Sequence, residues 1–212
     1  TFPNIAFDNV DFHYPNLQSG ASASYVKGGT FTSDRGCNQG TWFGNATEAG
    51  SRIVFDGAAV NLQQRFSVGY NATYCKGCVV LTNGTELMAS CKVTLGEGAG
   101  TSGRIEVRRG SKMTGSGIRI GQASETQGAL LVDGGDVLSK DDDQVGVSGD
   151  GLLQIIGGSF TNLSSRDFIK GVKLGVNAGS TGTVELGWAI GGQGRGCATG
   201  TSPPQASIIP AK

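Results

Sequence analysis

GALLVDGGDVLSKDDDQVGVSGDGLLQIIGG, residues 128–158, holds one full repeat and the start of the next. An apolar-x-apolar strand, Leu130 and Val132, runs into Gly134-Gly135. Val137 follows, then a polar turn, then a short strand ending in Val145-Gly146, and the phrase begins again at Leu152. The alternation is that of a β-strand, whose side chains point to opposite faces in turn.

Read outward from this stretch, the phrase recurs along the chain. Aligned on Gly29, Ala58, Gly84, Gly110, Gly135 and Gly158, its copies are spaced 23 to 29 residues apart. Five positions before these stand Ser24, Ile53, Val79, Ile105, Leu130 and Leu153. Three before stand Val26, Phe55, Leu81, Val107, Val132 and Ile155, and just after come Phe31, Val60, Leu87, Met113, Val137 and Phe160. A second strand aligns independently on Gly44, Gly69, Gly96, Gly121, Gly146 and Gly175. Phe43, Val68, Leu95, Ile120, Val145 and Leu174 precede these glycines directly, and Thr41, Phe66, Val93, Ile118, Asp143 and Val172 stand three before.

Two registers sharing a period of about 25 residues mean a repeat architecture. Each unit holds only short strands, so it buries its apolar face by stacking on its neighbours. The fold expected is all-β: a right-handed, single-stranded parallel β-helix, or β-solenoid, of about six to seven coils of roughly 25 residues. A β-propeller is the alternative, but its blades usually need about 40 residues. The expected organisation is a strand segment over residues 1–23, repeats over 24–192 and a Gly/Ser/Pro-rich tail over 193–212.

Composition narrows the function classes. Glycine supplies 37 of 212 residues, as a fold of tight turns requires. The 17 basic and 17 acidic residues balance, and no basic face points to nucleic acid. No apolar run is long enough to span a membrane as a helix. The chain opens on Thr1 without a signal-peptide pattern, so the expectation is a removed leader or an excised segment.

Cysteines stand at Cys37, Cys75, Cys78, Cys91 and Cys197. Cys75-Lys-Gly-Cys78 lacks the second pair or the histidines that zinc requires, and His13 is remote in sequence. Structural disulfides in an oxidising compartment are expected instead. Cys37 with Cys75, Cys78 and Cys91 allows two bridges and leaves Cys197 unpaired, or free to bridge to a next subunit. Four N-x-[ST] sequons, at Asn45, Asn71, Asn83 and Asn162, fall in expected turns and make these asparagines N-glycosylation candidates.

Val145-Gly-Val-Ser-Gly-Asp-Gly-Leu-Leu-Gln-Ile-Ile-Gly-Gly-Ser-Phe160 and Leu174-Gly-Val-Asn-Ala-Gly-Ser-Thr-Gly-Thr-Val-Glu-Leu186 resemble the Gly-rich repeats of bacterial autotransporter passenger domains and PEP-CTERM surface proteins. The resemblance covers roughly residues 100–192 well and 24–99 loosely. It implies a parallel β-solenoid displayed outside the cell, and it carries no catalytic motif. The cysteines and sequons depart from that family's pattern.

A β-helix enzyme acting on polysaccharides needs carboxylates stacked in one outward column. The outward columns read Val54, Val80, Glu106, Leu131, Gln154, Glu185 and Trp42, Ser67, Thr94, Arg119, Gln144, Lys173, neither of which stacks acids on adjacent coils. Asp141-Asp142-Asp143 reads as a solvated loop tip, without the spacing of a Ca²⁺ loop. No catalytic residue, cofactor site or metal site is therefore assigned. A solenoid exposes strand edges at its ends, which recruit other chains. Phe2, Ile5, Phe7, Val10 and Phe12, with Ile208 and Ile209 in the tail, are the candidates for capping or assembly. The function expected is an extracellular structural rod, self-associating head to tail into a filament or surface stalk. A glycan-binding rod, adhesin- or tailspike-like, is the alternative, and a polysaccharide lyase or hydrolase ranks last.

Overall fold

The computed structural model describes residues 5–13, 23–33, 37, 40–43, 51–70, 76–164 and 171–187. Seventeen strands, without a helix, wind through these residues. A partial rung, β1 (Ile5–Asp8) and β2 (Phe12–His13), comes first. The next coil holds β3 (Ala23–Lys27), β4 (Thr30–Ser33) and β5 (Gly40–Phe43), and the one after holds β6 (Ser51–Asp56), β7 (Ala59–Leu62) and β8 (Arg65–Val68). Further on, strands run around corners and merge: β9 (Lys76–Thr82) and β10 (Glu86–Leu95), then β11 (Ser102–Arg108) and β12 (Lys112–Ile120), then β13 (Gln127–Ser139) and β14 (Asp143–Val145). β15 (Asp150–Asn162), β16 (Val172–Leu174) and β17 (Thr181–Leu186) complete the described chain.

All pairings are parallel, each strand lying on its equivalent one coil away, and the registers reproduce the sequence columns. On the first side Phe7, Val26, Phe55, Leu81, Val107, Val132, Ile155 and Leu186 form one continuous stack. On the second, Phe12, Phe31, Val60, Leu87, Met113, Val137 and Phe160 do the same. On the third, Phe43, Val68, Leu95, Ile120, Val145 and Leu174 stack. Residues 5–13 thus contribute a rung of their own, because β1 and β2 pair in register with β3 and β4.

The three columns converge on one dry core. Val26, Phe31, Phe55, Leu81, Val107, Met113 and Val132 are all at most 2% exposed. Each such side chain contributes roughly 1.5–3 kcal/mol by leaving water. Five turns, from β3–β5 to β13–β14, are packed in this way, so the count is slightly below the six to seven expected. Beyond them the columns continue through β15, β16 and β17, and burial falls away along them after Leu153.

From Gly77 onward, the corner between the third side and the first leaves no room for a side chain, whereas Ser51 holds the equivalent position one coil earlier. Gly121 ends the third strand of its coil with φ +69°, a conformation that a residue bearing a Cβ adopts only under strain. Its N–H donates to Leu95 O at 2.8 Å, linking adjacent coils. Gly128, at the start of the next strand, lies flat on that bond, and a Cβ there would come within 2.6 Å of Leu95 O. The arrangement repeats with Gly103 on the Gly96 N–H···O Val68 bond, Gly151 on Gly146 N–H···O Ile120 and Gly182 on Gly175 N–H···O Val145.

Gly103→Ala is expected to lower the stability to urea unfolding by about 2–3 kcal/mol or to block folding, because backbone atoms fill the space. Gly84→Ala, at a corner where nothing lies within 4 Å of the new carbon, should cost only about 1–2 kcal/mol for its positive φ.

Candidate functional site: the C-terminal rungs

The apolar columns reach the C-terminal rungs without being capped among the described residues. Leu153 is still buried, at 2% exposed. Ile155, Phe160, Val172 and Val184 are only partly buried against the core, while Leu174 and Leu186 are about half exposed, at 50% and 49%. Leu163 and Val176 are exposed beside them. β17 pairs with β15, and among the described residues no strand lies on its other edge. An apolar end face bounded by a free parallel edge is the arrangement that accepts a further strand.

A buried carboxylate fastens these rungs to the rod. Asp143 stands in the column of Phe66, Val93 and Ile118, and is 1% exposed. Its Oδ1 accepts from Ile118 N–H at 2.8 Å and from the Ser139 hydroxyl at 2.6 Å. Its Oδ2 accepts from Asn162 Nδ2 at 2.6 Å, so β12, β13, β14 and the end of β15 meet on one side chain. Burial pushes the carboxyl up to about 6, against the pull of the Ser139, Asn162 and Ile118 hydrogen bonds, and neighbouring Asp142 adds to the rise. Asp142 is itself drawn in, 3.8 Å from Lys92 Nζ and 3.9 Å from Arg119. The reading of Asp141–Asp143 as a solvated loop tip is therefore corrected. The repeat alignment already placed Asp143 in an inward column, and that position outweighs its polarity because three donors satisfy it.

The sequons differ in their surroundings. Asn83 is exposed in a tight corner, with φ +53°, and its Nδ2 donates once, to Asp56 Oδ1 at 2.7 Å. Asn162 is partly buried, and its Nδ2 donates twice, to Asp141 O at 2.8 Å and to Asp143. Asn45 and Asn71 lie outside the described residues, as do Phe2, Ile208, Ile209, Cys75 and Cys197. Of the remaining assembly candidates, Phe7 packs against the core and Val10 is 37% exposed, while Ile5 and Phe12 are placed by register alone.

One disulfide is present, between Cys37 in the β4–β5 connection and Cys91 in β10, with Cα atoms 5.7 Å apart. It spans two coils and passes the intervening corner, where Cys91 Sγ lies 3.4 Å from Gln63 O. The second bridge expected among Cys37, Cys75, Cys78 and Cys91 does not form at Cys78, which is a free thiol. Its register neighbours on β9's flanks are Arg52 and Arg104 rather than cysteine. Burial pushes that thiol up, away from a reactive thiolate.

Glu106, the acid in the middle of the first outward column, is held between two arginines. Arg104 Nε donates to it at 2.7 Å and Arg108 Nε at 2.9 Å. Burial raises its carboxyl, but the Arg108 and Arg104 hydrogen bonds outweigh that and hold it below the usual range. A carboxylate kept ionised by two guanidinium partners is a structural strut, and the acid column a polysaccharide-cleaving β-helix needs is missing around it: Val80 and Leu131 are its neighbours. Among the described residues, no three His, Cys, Asp or Glu side chains converge as metal ligands, and no helix is long and apolar enough to cross a membrane.

The chain matches no protein-family model, no curated protein and no solved structure.

Asp143 sets a pH dependence whose sign follows from its raised value. The folded chain holds the proton more tightly than the unfolded chain, so this group's contribution to stability is full below about pH 4 and is lost as pH rises through 6. Relative to Asp143→Asn, the parent should be more stable at pH 4 than at pH 7 by up to about 3 kcal/mol, read from urea midpoints. Reducing the Cys37–Cys91 bridge, which closes 54 residues, should cost about 4 kcal/mol in the same assay.

Proposed function

We propose that this chain is an extracellular structural rod that associates end to end. The observation that carries the reading is the exposure of the core columns at β16 and β17, where Leu174 and Leu186 are half exposed and no strand among the described residues lies on the outer edge of β17. At the opposite end of the rod, β1 presents the same columns, with Ile5 and Phe7 in the register positions of Val184 and Leu186. Laid against a second copy, the free edge of β17 would set Val184 on Ile5 and Leu186 on Phe7. The solenoid would then continue across the junction in its own register. Such a contact is heterologous, joining different surfaces of the two copies, and it propagates rather than closing.

The disulfide supports placement in an oxidising compartment, where bridges persist. Glu106 is paired with two arginines and Asp143 is hydrogen-bonded inside the rod, so both of these acids serve the structure.

Sedimentation and negative-stain electron microscopy of the oxidised protein test the proposal. Rods in multiples of one chain's length are expected. Leu174→Lys with Leu186→Lys should weaken association by more than about tenfold while the β-sheet circular dichroism stays intact, because a lysine at the junction would have to shed water. Monomers at every concentration, or assembly indifferent to the two lysines, would defeat it.

A further inference from the structure

Two described asparagines satisfy the same acceptor sequence, and the fold treats them differently. We propose that Asn83 carries an N-linked glycan and that Asn162 does not. The inference rests on the extracellular reading above, which brings the chain past a glycosylating enzyme.

The chemistry turns on one nitrogen. N-glycosylation forms a bond from the asparagine Nδ2 to the anomeric carbon of a sugar. The bond from that carbon to the phosphate of a lipid-pyrophosphate-linked oligosaccharide breaks, the lipid pyrophosphate leaves, and Nδ2 gives up one of its two protons. A glycosylated asparagine therefore keeps a single N–H to donate, and needs an open path for the sugar.

Asn83 meets both conditions. It stands in Thr82-Asn83-Gly84-Thr85, a tight corner closed by Thr85 N–H to Thr82 O at 3.1 Å. Asn83 and Gly84 both have positive φ, +53° and +80°, the pair of signs that favours Asn-Gly in such a turn. The residue is exposed, and its Nδ2 makes one hydrogen bond, to Asp56 Oδ1. One N–H remains for replacement while the bond to Asp56 persists. The sequon's Thr85 is buried, with its hydroxyl, which carries a single proton, 2.8 Å from both Phe55 O and Thr82 O, so the sequon is read before this corner folds and the glycan stays outside afterwards.

Asn162 meets neither. Both protons of its Nδ2 are in use, toward Asp141 O and Asp143 Oδ2, and its Oδ1 accepts from Ser164 N–H at 3.0 Å. A sugar there would remove one of the two donations, and the carboxylate of Asp143 would lose a donor inside the rod or the backbone at Asp141 would lose one beside it. A chain glycosylated at Asn162 loses one of the two donations that fasten the end of β15 to Asp141 and Asp143. The same three-letter signal is thus a modification site in one corner and a structural clamp in the other.

The test is to secrete the full chain from a cultured eukaryotic cell line and select folded molecules by the intact Cys37–Cys91 bridge. The glycans are then released with peptide-N-glycosidase in ¹⁸O-water, and the peptides around both sites are read by mass spectrometry. Heavy aspartate at position 83 in most molecules, with unlabelled asparagine at 162, is the result expected. A bare Asn83 or an occupied Asn162 in the folded fraction would overturn the assignment. Export is imposed by the host, so a bare Asn83 there counts against the site and not against the extracellular reading. Unglycosylated protein gives the second readout. Asn162→Ala should lower the thermal midpoint by roughly 5 °C or more, whereas Asn83→Gly, which suits the positive φ, should move it by no more than about 2 °C. Equal shifts for the two would overturn the distinction.

Discussion

From Gly77 onward, the coils of this rod depend on a corner where no side chain fits. Gly128 lies on the hydrogen bond from Gly121 to Leu95, and Gly77, Gly103, Gly151 and Gly182 repeat the contact in their own coils. Where the backbone of the first side rests directly on the link between coils of the third, the winding can be tight enough for three columns to meet. Without that approach the side chains of Val107, Met113 and Ile120 would face a cavity instead of one another. The dry core is therefore a consequence of the glycines as much as of the apolar residues, since interiors lose stability steeply when packing loosens.

This explains how much of the fold could be read from the sequence. The alternation around Leu130 and Val132, and the recurrence of Val-Gly at residues 145–146 and Leu-Gly at 95–96, fix both the period and the faces, because a one-residue slip would turn every column inside out. The columns derived from that alternation are the observed registers. Less legible was where the rod stops being a rod. The motif continues unchanged through Leu153, Ile155 and Leu186, yet burial falls away along them, because cover depends on what lies beyond the last coil and not on the residue itself. The rung made by residues 5–13 was hidden for a related reason: Phe7 and Phe12 continue the columns without the glycine turn that marks the other copies.

The site residues divide along the same line. Asp143 sits at an inward position that the repeat specifies as apolar, and its acceptance there is decided by Ser139, Asn162 and Ile118, brought together from three strands. No local pattern announces such a convergence. The disulfide was legible as chemistry but not as pairing, since Cys37 and Cys91 are two coils apart and only the stacking makes them neighbours. Asn83 and Asn162 share a sequence signal and differ in how many protons their amides have to spare. In each case the residue type was visible and the neighbour from another coil was not.

The claim on which all of this stands is that equivalent positions lie one above the other, coil by coil. Thr30, Ala59, Glu86, Lys112, Asp136 and Ser159 form one outward column in successive coils. Pulsed electron–electron resonance between spin labels carried by bio-orthogonal residues on this column measures the stacking directly. From a label at position 30, the distance should grow by about 4.8 Å per coil, so that position 159 lies about 5 Å farther than position 136 and some 24 Å along the axis. Distances that fail to rise in that sequence, or that place position 159 nearer than position 136, would contradict the solenoid.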